Sequence, residues 1–183
     1  MNRTMQRPQP PRHPLWRLPV WGGAAVLWMT PWVAMQFTDE VRWTGMDFAV
    51  FAIMLLVACG GCELAMRVSR HPFYRAGAAV AIGTGFMMVW SNLAVGLLGS
   101  ERDPINLVFF GVLAFGAIGA LVTRLRAGGL ARTLSAMAAL QGLIAIVAIA
   151  GFHAAPVEAI AVTVAFAGLW LLAAWLFRRA LPR

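Results

Sequence analysis

The chain has 183 residues, of which 61% are hydrophobic and only 12% are charged. Water-soluble domains average roughly 45–50% apolar and about 25% charged residues, so this composition excludes a soluble enzyme, a disordered regulator and a disulfide-stapled secreted module. The class that remains is an integral membrane protein.

The net charge of +8 comes from 15 arginines and no lysine, set against seven acidic residues. On a soluble protein this balance would indicate a nucleic-acid partner. Here most of the arginines flank long apolar runs, so they indicate membrane topology, and we expect the bilayer and not a nucleic acid as the partner.

Six segments are long and apolar enough to cross a bilayer, whose core of about 30 Å needs roughly 20 helical residues. In chain order they are residues 18–37, 46–66, 76–98, 104–123, 130–152 and 156–177. The runs are continuously apolar and do not alternate, which is not typical of a β-barrel. We therefore predict an all-α fold, with a six-helix transmembrane domain over residues 18–177. A basic, proline-rich, disordered tail (1–17) precedes it, and a short basic tail (178–183) follows it.

The charges sort by side of the predicted membrane. Thirteen arginines fall on one side, namely residues 3, 7, 12, 17, 67, 70, 75, 124, 126, 132, 178, 179 and 183. Six of the seven acids fall on the other side, namely residues 39, 40, 47, 101, 103 and 158. The positive-inside bias then predicts that both termini lie in the cytoplasm. Tryptophans 16, 21, 43, 170 and 175 are expected at the membrane interfaces, where an amphipathic ring prefers to lie.

The segment from Met88 to Phe110 carries the most structured local signal. Asp103 is expected to cap the fourth span, with Pro104 at its first helical position. One interpretation is a capped hairpin that Asn92 joins across two helices. The other is an outward recognition surface for a partner, lipid or small ligand, in which Glu101 and Arg102 supply charge and Asn92 and Asn106 supply hydrogen bonds.

The string WSNLAVGLLGSERDPINL, followed by FFGVLAFGAIGAL, resembles a segment of a family of small proteobacterial inner-membrane proteins of uncharacterised activity. In that family the hairpin often reads Gly-Ser-Glu and then Asn-Pro-x-Asn. This chain departs from the pattern with Arg102 and Asp103. The resemblance covers residues 88–150 and implies a multi-pass protein of the bacterial inner membrane, but it implies no activity.

Cys59, Cys62 and Glu63 share one face of the second span, at positions i, i+3 and i+4. A C-x-x-C pair is the minimum unit of dithiol redox chemistry. However, this pair lies towards the reducing cytoplasm and has no second pair to relay electrons. Two thiols and one carboxylate also make an incomplete zinc shell, and no span holds a histidine for haem. Packing is the alternative to redox or metal chemistry, and we expect no metal and no cofactor.

Asp47 and Glu158 lie within three residues of the outer ends of their predicted spans, so Glu63 is the only acid placed further inside one, which makes it a candidate for a proton or ligand role. It also precedes Arg67 in the favourable i, i+4 order, so a structural ion pair is the alternative.

Small residues recur at spacings that favour close helix packing, namely Gly116 with Ala120, Ala161 with Ala165, and glycines 77, 83 and 85. Only Thr84 and Gln141 place polar groups near these residues.

Three functions remain open. The first is a non-enzymatic accessory or assembly component bound to another membrane protein or to itself. The second is a small transporter or lipid or small-molecule permease, with Glu63, Gln141 and Asn92 as pathway groups. The third is a thiol redox enzyme that uses Cys59 and Cys62.

Overall fold

The structure is a computed structural model that describes residues 17–98, 103–152 and 155–182. Within these ranges the regular elements are six α-helices and one 3₁₀ turn. They are α1 (Arg17–Ala34), α2 (Gly45–Val68), α3 (Pro72–Ala94), the 3₁₀ turn Pro104–Asn106, α4 (Leu107–Val122), α5 (Ala127–Phe152) and α6 (Pro156–Arg179). The predicted tail at residues 1–17 lies outside the described residues except for Arg17.

Five helical segments are long and apolar enough to cross a membrane by length and composition: α2, α3, α4 together with the 3₁₀ turn before it (Pro104–Val122), α5 and α6. The predicted fold class, an all-helical multi-pass membrane protein, is confirmed. Helix α1 has 18 residues and is not among the five. That α1 crosses the membrane stays a prediction.

Helix α3 differs most from its predicted bounds, since it begins and ends about four residues earlier than 76–98. Pro72 lies at its first position, where a missing N–H has no intrahelical partner to lose, and His71 before it is extended. Gly96, with φ of 78°, turns the chain away after the helix ends. Helix α5 likewise begins at Ala127, three residues before the predicted Leu130.

The chain divides into two compact units, Met1–Leu55 and Leu56–Arg183. In the described part of the first unit, Trp28 joins α1 to the start of α2. Its Nε1 donates to the carbonyl of Phe48 at 3.1 Å, and the two rings meet edge to face. Trp43 packs in the same way against Phe48 and Phe51.

In the second unit, α3 to α6 form an antiparallel bundle in which α6 contacts both α3 and α5, and α4 contacts α5. Gly77 near the start of α3 lies against Phe177 at the end of α6, and Gly116 of α4 lies against Met137 of α5. The core includes side chains with no exposed surface, namely Met88, Val112, Ala148 and Ala173. Burying such side chains fixes which face of each helix points inward.

Trp170 is a core residue with 2% of its surface exposed, so the prediction that it lies at an interface was wrong. It lies opposite Gly85 of α3, where a Cβ would come within 3.9 Å of its ring, so the glycine leaves room for the indole. Trp175 is 46% exposed, and the Arg179 guanidinium lies 4.9 Å from its ring centre.

Three arginine-bearing segments meet at one end of this bundle. The Tyr74 hydroxyl, at the start of α3, donates to the carbonyl of Leu125 in the α4–α5 turn at 2.8 Å. Gly128, at the start of α5, lies beside Leu181, just after α6. The segments contain Arg70, Arg75, Arg124, Arg126, Arg132, Arg178 and Arg179. The predicted grouping of these arginines therefore agrees with the fold, and the side of the membrane on which they lie stays a prediction.

Candidate functional site

Asn106 closes the loop that follows α3. Its side chain is 4% exposed, and its Oδ1 accepts from the backbone N–H groups of Leu97 and Leu98, each at 3.0 Å. Its Nδ2 donates to the carbonyl of Leu98 at 3.1 Å. Because both faces of one amide bond the same short stretch of backbone, the loop is held against the start of α4.

Asn92 joins α3 to this loop. It is 5% exposed, and its Nδ2 donates to the backbone carbonyl of Asn106 at 2.8 Å. This is the cross-helix contact that the hairpin interpretation predicted. The Oδ1 atom of Asn92 is buried and has no hydrogen-bond partner among the described residues. Both asparagines therefore direct their polar atoms into the fold and not towards an outer surface.

Asp103 occupies the predicted capping position, followed by Pro104, but its side chain makes no capping hydrogen bond. The expected carboxylate cap was therefore wrong. The N–H of Asn106, which a cap would take, instead bonds the backbone carbonyl of Asp103 at 3.0 Å in a 3₁₀ turn. Glu101 and Arg102, the predicted charges of this hairpin, lie outside the described residues.

The candidates on α2 lie on a membrane-spanning helix. Cys59 is 7% exposed and Cys62 is half-buried, and no disulfide joins them. Glu63 forms an ion pair with Arg67 one turn later, as the structural interpretation expected. In the part of the chain that the structure describes, no group of three or more histidine, cysteine or acidic residues could hold a metal ion.

The middle of the bundle contains a polar layer. Gln141 is 1% exposed, and neither atom of its amide has a hydrogen-bond partner among the described residues. Thr84 is 2% exposed and donates to the carbonyl of Val80 at 2.7 Å. The register of the helices places Trp170 at the same level, with its indole N–H also unpartnered.

Sequence reasoning missed Trp170 as part of this layer. One available signal was its helical spacing from Phe166, Ala173 and Phe177, which lie on the same buried face of α6. The three predicted pathway groups do not come together. Asn92 lies near one end of α3, Gln141 lies in the middle of the bundle, and Glu63 lies near the loop that precedes α3.

The outward face of α6 carries small residues. Ala161, Ala165 and Gly168 are exposed, and a Cβ built on Gly168 would have no neighbour within 4 Å. The expectation that Ala161 and Ala165 pack against another helix was wrong for this chain alone. Gly77 and Gly116 do lie in close helix contacts, as expected.

Fold and geometry together define an all-helical, multi-pass membrane protein with a hydrogen-bonded hairpin at one end of its bundle and arginines at the other. The chain matches no protein-family model, and comparisons with functionally characterised proteins and with solved structures give no match either. The resemblance of the 88–150 segment to a proteobacterial family therefore stays a prediction.

Proposed function

We propose that the protein is a non-enzymatic accessory or assembly component of a complex in a bacterial inner membrane, with both termini in the cytoplasm. The observation that carries this proposal is the exposed stripe of Ala161, Ala165 and Gly168 on α6. These residues lie on the side of the helix opposite Phe166, Trp170 and Phe177.

The stripe supports a partner helix because association in a membrane depends on close packing. Lipid chains are as apolar as leucine, so helices gain little from hiding apolar surface, and small residues that let backbones approach are enriched at their contacts. An exposed glycine within a helix also costs about 1 kcal/mol relative to alanine. A partner seated on the stripe would give Gly168 a packing role.

The other predicted site residues support a structural role over catalysis. Asn92 and Asn106 bond backbone groups, and Glu63 pairs with Arg67. Each of these polar side chains thus holds neighbouring parts of the same chain together.

The test is Ala165→Leu on α6, compared with Ala139→Leu, which places the same added bulk on an exposed position of α5. Both full-length variants are extracted gently from native membranes and measured by native mass spectrometry. We expect wild type and Ala139→Leu to appear in a complex with a partner protein, heavier than the 19.8 kDa chain alone. The fraction of Ala165→Leu found in that complex should be about tenfold lower.

Two results would count against the accessory role. One is a wild-type chain that is monomeric or only self-associated, even after mild crosslinking in the membrane. The other is equal loss of partner in the two leucine variants.

A second candidate, a small transporter or permease, is favoured by the unpartnered amide of Gln141 in the bundle interior. Polar groups inside membrane bundles often mark substrate pathways. The test is solute flux into proteoliposomes. Flux that the wild-type protein supports and that folded Gln141→Leu protein does not would favour this candidate.

A further inference from the structure

We propose that the turn between α4 and α5 is a binding site for the phosphate headgroup of an anionic phospholipid. A cavity of 340 Å³ opens at this turn. It is lined by Val122, Thr123, Arg124, Arg126, Gly129 and Arg132.

The charge of the cavity points to an anion. Three of its six lining residues are arginines, and none is acidic. Guanidinium groups repel one another at close range, and an anion placed between them reverses that repulsion. Arginine also binds phosphate oxygens with two parallel hydrogen bonds, which makes phosphate the best chemical match for a cavity with several arginines.

The turn is held in place before any ligand arrives. The N–H of Leu125 bonds the carbonyl of Ala120 at 3.0 Å, and the N–H of Arg124 bonds that of Leu121 at 2.9 Å. The hydroxyl of Tyr74, a residue only 4% exposed, fixes the carbonyl of Leu125 from α3. Two backbone hydrogen bonds and the hydrogen bond from buried Tyr74 therefore fix the backbone positions of Arg124 and Arg126.

Helix α5 adds a second source of positive potential. It begins at Ala127, between Arg126 and Arg132, and runs to Phe152. The first turn of a long helix carries the positive end of its dipole and backbone N–H groups without helical partners. Gly129 of this turn lines the cavity, so the ligand would approach backbone as well as arginine.

The surroundings of the cavity favour a lipid over a free anion. Val122 lines the cavity and is 75% exposed, and Leu121 beside it is equally exposed. Ile118, one turn before Val122 on α4, is 60% exposed. Since α4 is a membrane span, a lipid whose headgroup occupies the cavity would have its acyl chains along this apolar face.

The test measures binding of dioctanoyl phosphatidylglycerol to purified, delipidated full-length protein by native mass spectrometry. Dioctanoyl phosphatidylcholine and inorganic phosphate serve as comparison ligands. The test variant is the triple R124Q/R126Q/R132Q. The matched control, R70Q/R178Q/R179Q, removes the same charge from exposed positions at the same end of the bundle.

We expect one phosphatidylglycerol bound to the wild type with at least about tenfold preference over phosphatidylcholine. The test triple should weaken this binding by about tenfold or more, and the control triple by less than about threefold. A charge-conserving R124K/R126K/R132K variant should fall between, because lysine keeps the charge but loses the paired hydrogen bonds. Circular dichroism shows whether each variant keeps its helices.

Three results would overturn the proposal. Equal weakening by the two glutamine triples would mean a general charge effect, and binding of inorganic phosphate as tight as that of phosphatidylglycerol would mean a free-anion site. Wild-type protein that binds phosphatidylglycerol no better than phosphatidylcholine would mean that the cavity selects no anionic headgroup.

Discussion

The amide of Asn106 acts at the scale of a single residue and holds a whole hairpin end. It accepts from two backbone N–H groups and donates to one carbonyl, all of them in Leu97 and Leu98. Both leucines are buried, at 5% and 2% exposed. Buried backbone donors that lose their acceptor cannot turn to water, so each costs about 1–3 kcal/mol.

Asn106→Ala should therefore lower the free energy of unfolding by roughly 2–4 kcal/mol, because two donors and one acceptor lose their partner at once. Asn106→Asp should also destabilise the fold, because a carboxylate still accepts from Leu97 and Leu98 but buries a charge and turns an oxygen towards the Leu98 carbonyl. The measurement is reversible unfolding in mixed micelles, followed by circular dichroism. An alanine variant within about 0.5 kcal/mol of wild type would show that the hairpin does not depend on this amide.

At the scale of elements, α4 and α5 approach closely along a line of glycines on α4. A Cβ on Gly116 would come within 2.7 Å of the sulfur of Met137, a flexible side chain that can move away. A Cβ on Gly119 would come within 2.7 Å of Oγ1 of Thr133. Threonine is branched next to the backbone and has few rotamers, so relief there needs a shift of the helix.

The added methyl group of Gly119→Ala should lower the free energy of unfolding by about 1–3 kcal/mol through overpacking. The higher helix propensity of alanine offsets up to about 1 kcal/mol of this loss. Gly111→Ala is the matched control on the same helix, since nothing lies within 4 Å of its Cβ position, and it should be neutral or slightly stabilising. Thermal unfolding of the two variants side by side decides the point. Equal stability of the two would mean that α4 and α5 are not in close contact at Gly119.

At the scale of the whole molecule, the fold class and the number of helices could be predicted because hydropathy and span length determine them. The predicted ends of the helices agree less well with the structure than the number of helices does. Pro72 and Gly96 set the bounds of α3, and these are local signals that hydropathy averages away. The amide of Asn92 reaches the next helix because the hairpin is short, which the spacing to Asn106 indicated.

Features that depend on which helices become neighbours could not be predicted from spacing alone. The indole of Trp170 is buried because Gly85 of α3 leaves room for it. Ala161 and Ala165 are exposed because no helix of the described chain covers them. The cavity at the α4–α5 turn depends on Arg124 and Leu125 in left-handed conformations, with φ of 50° and 57°. Such conformations are unfavourable for residues other than glycine, so sequence preference argues against them.

The central claim is a six-span protein whose arginine-rich end and both termini face the cytoplasm, and cysteine labelling in intact cells tests it most directly. Cys59 and Cys62 are replaced by serine, and single cysteines are placed at Thr4, Thr38, Ser69 or Leu181. A membrane-impermeant maleimide should label position 38 from outside, and positions 4, 69 and 181 only after permeabilisation. Labelling of position 4 from outside together with position 38 would show that α1 does not cross, and external labelling of positions 69 and 181 would reverse the orientation.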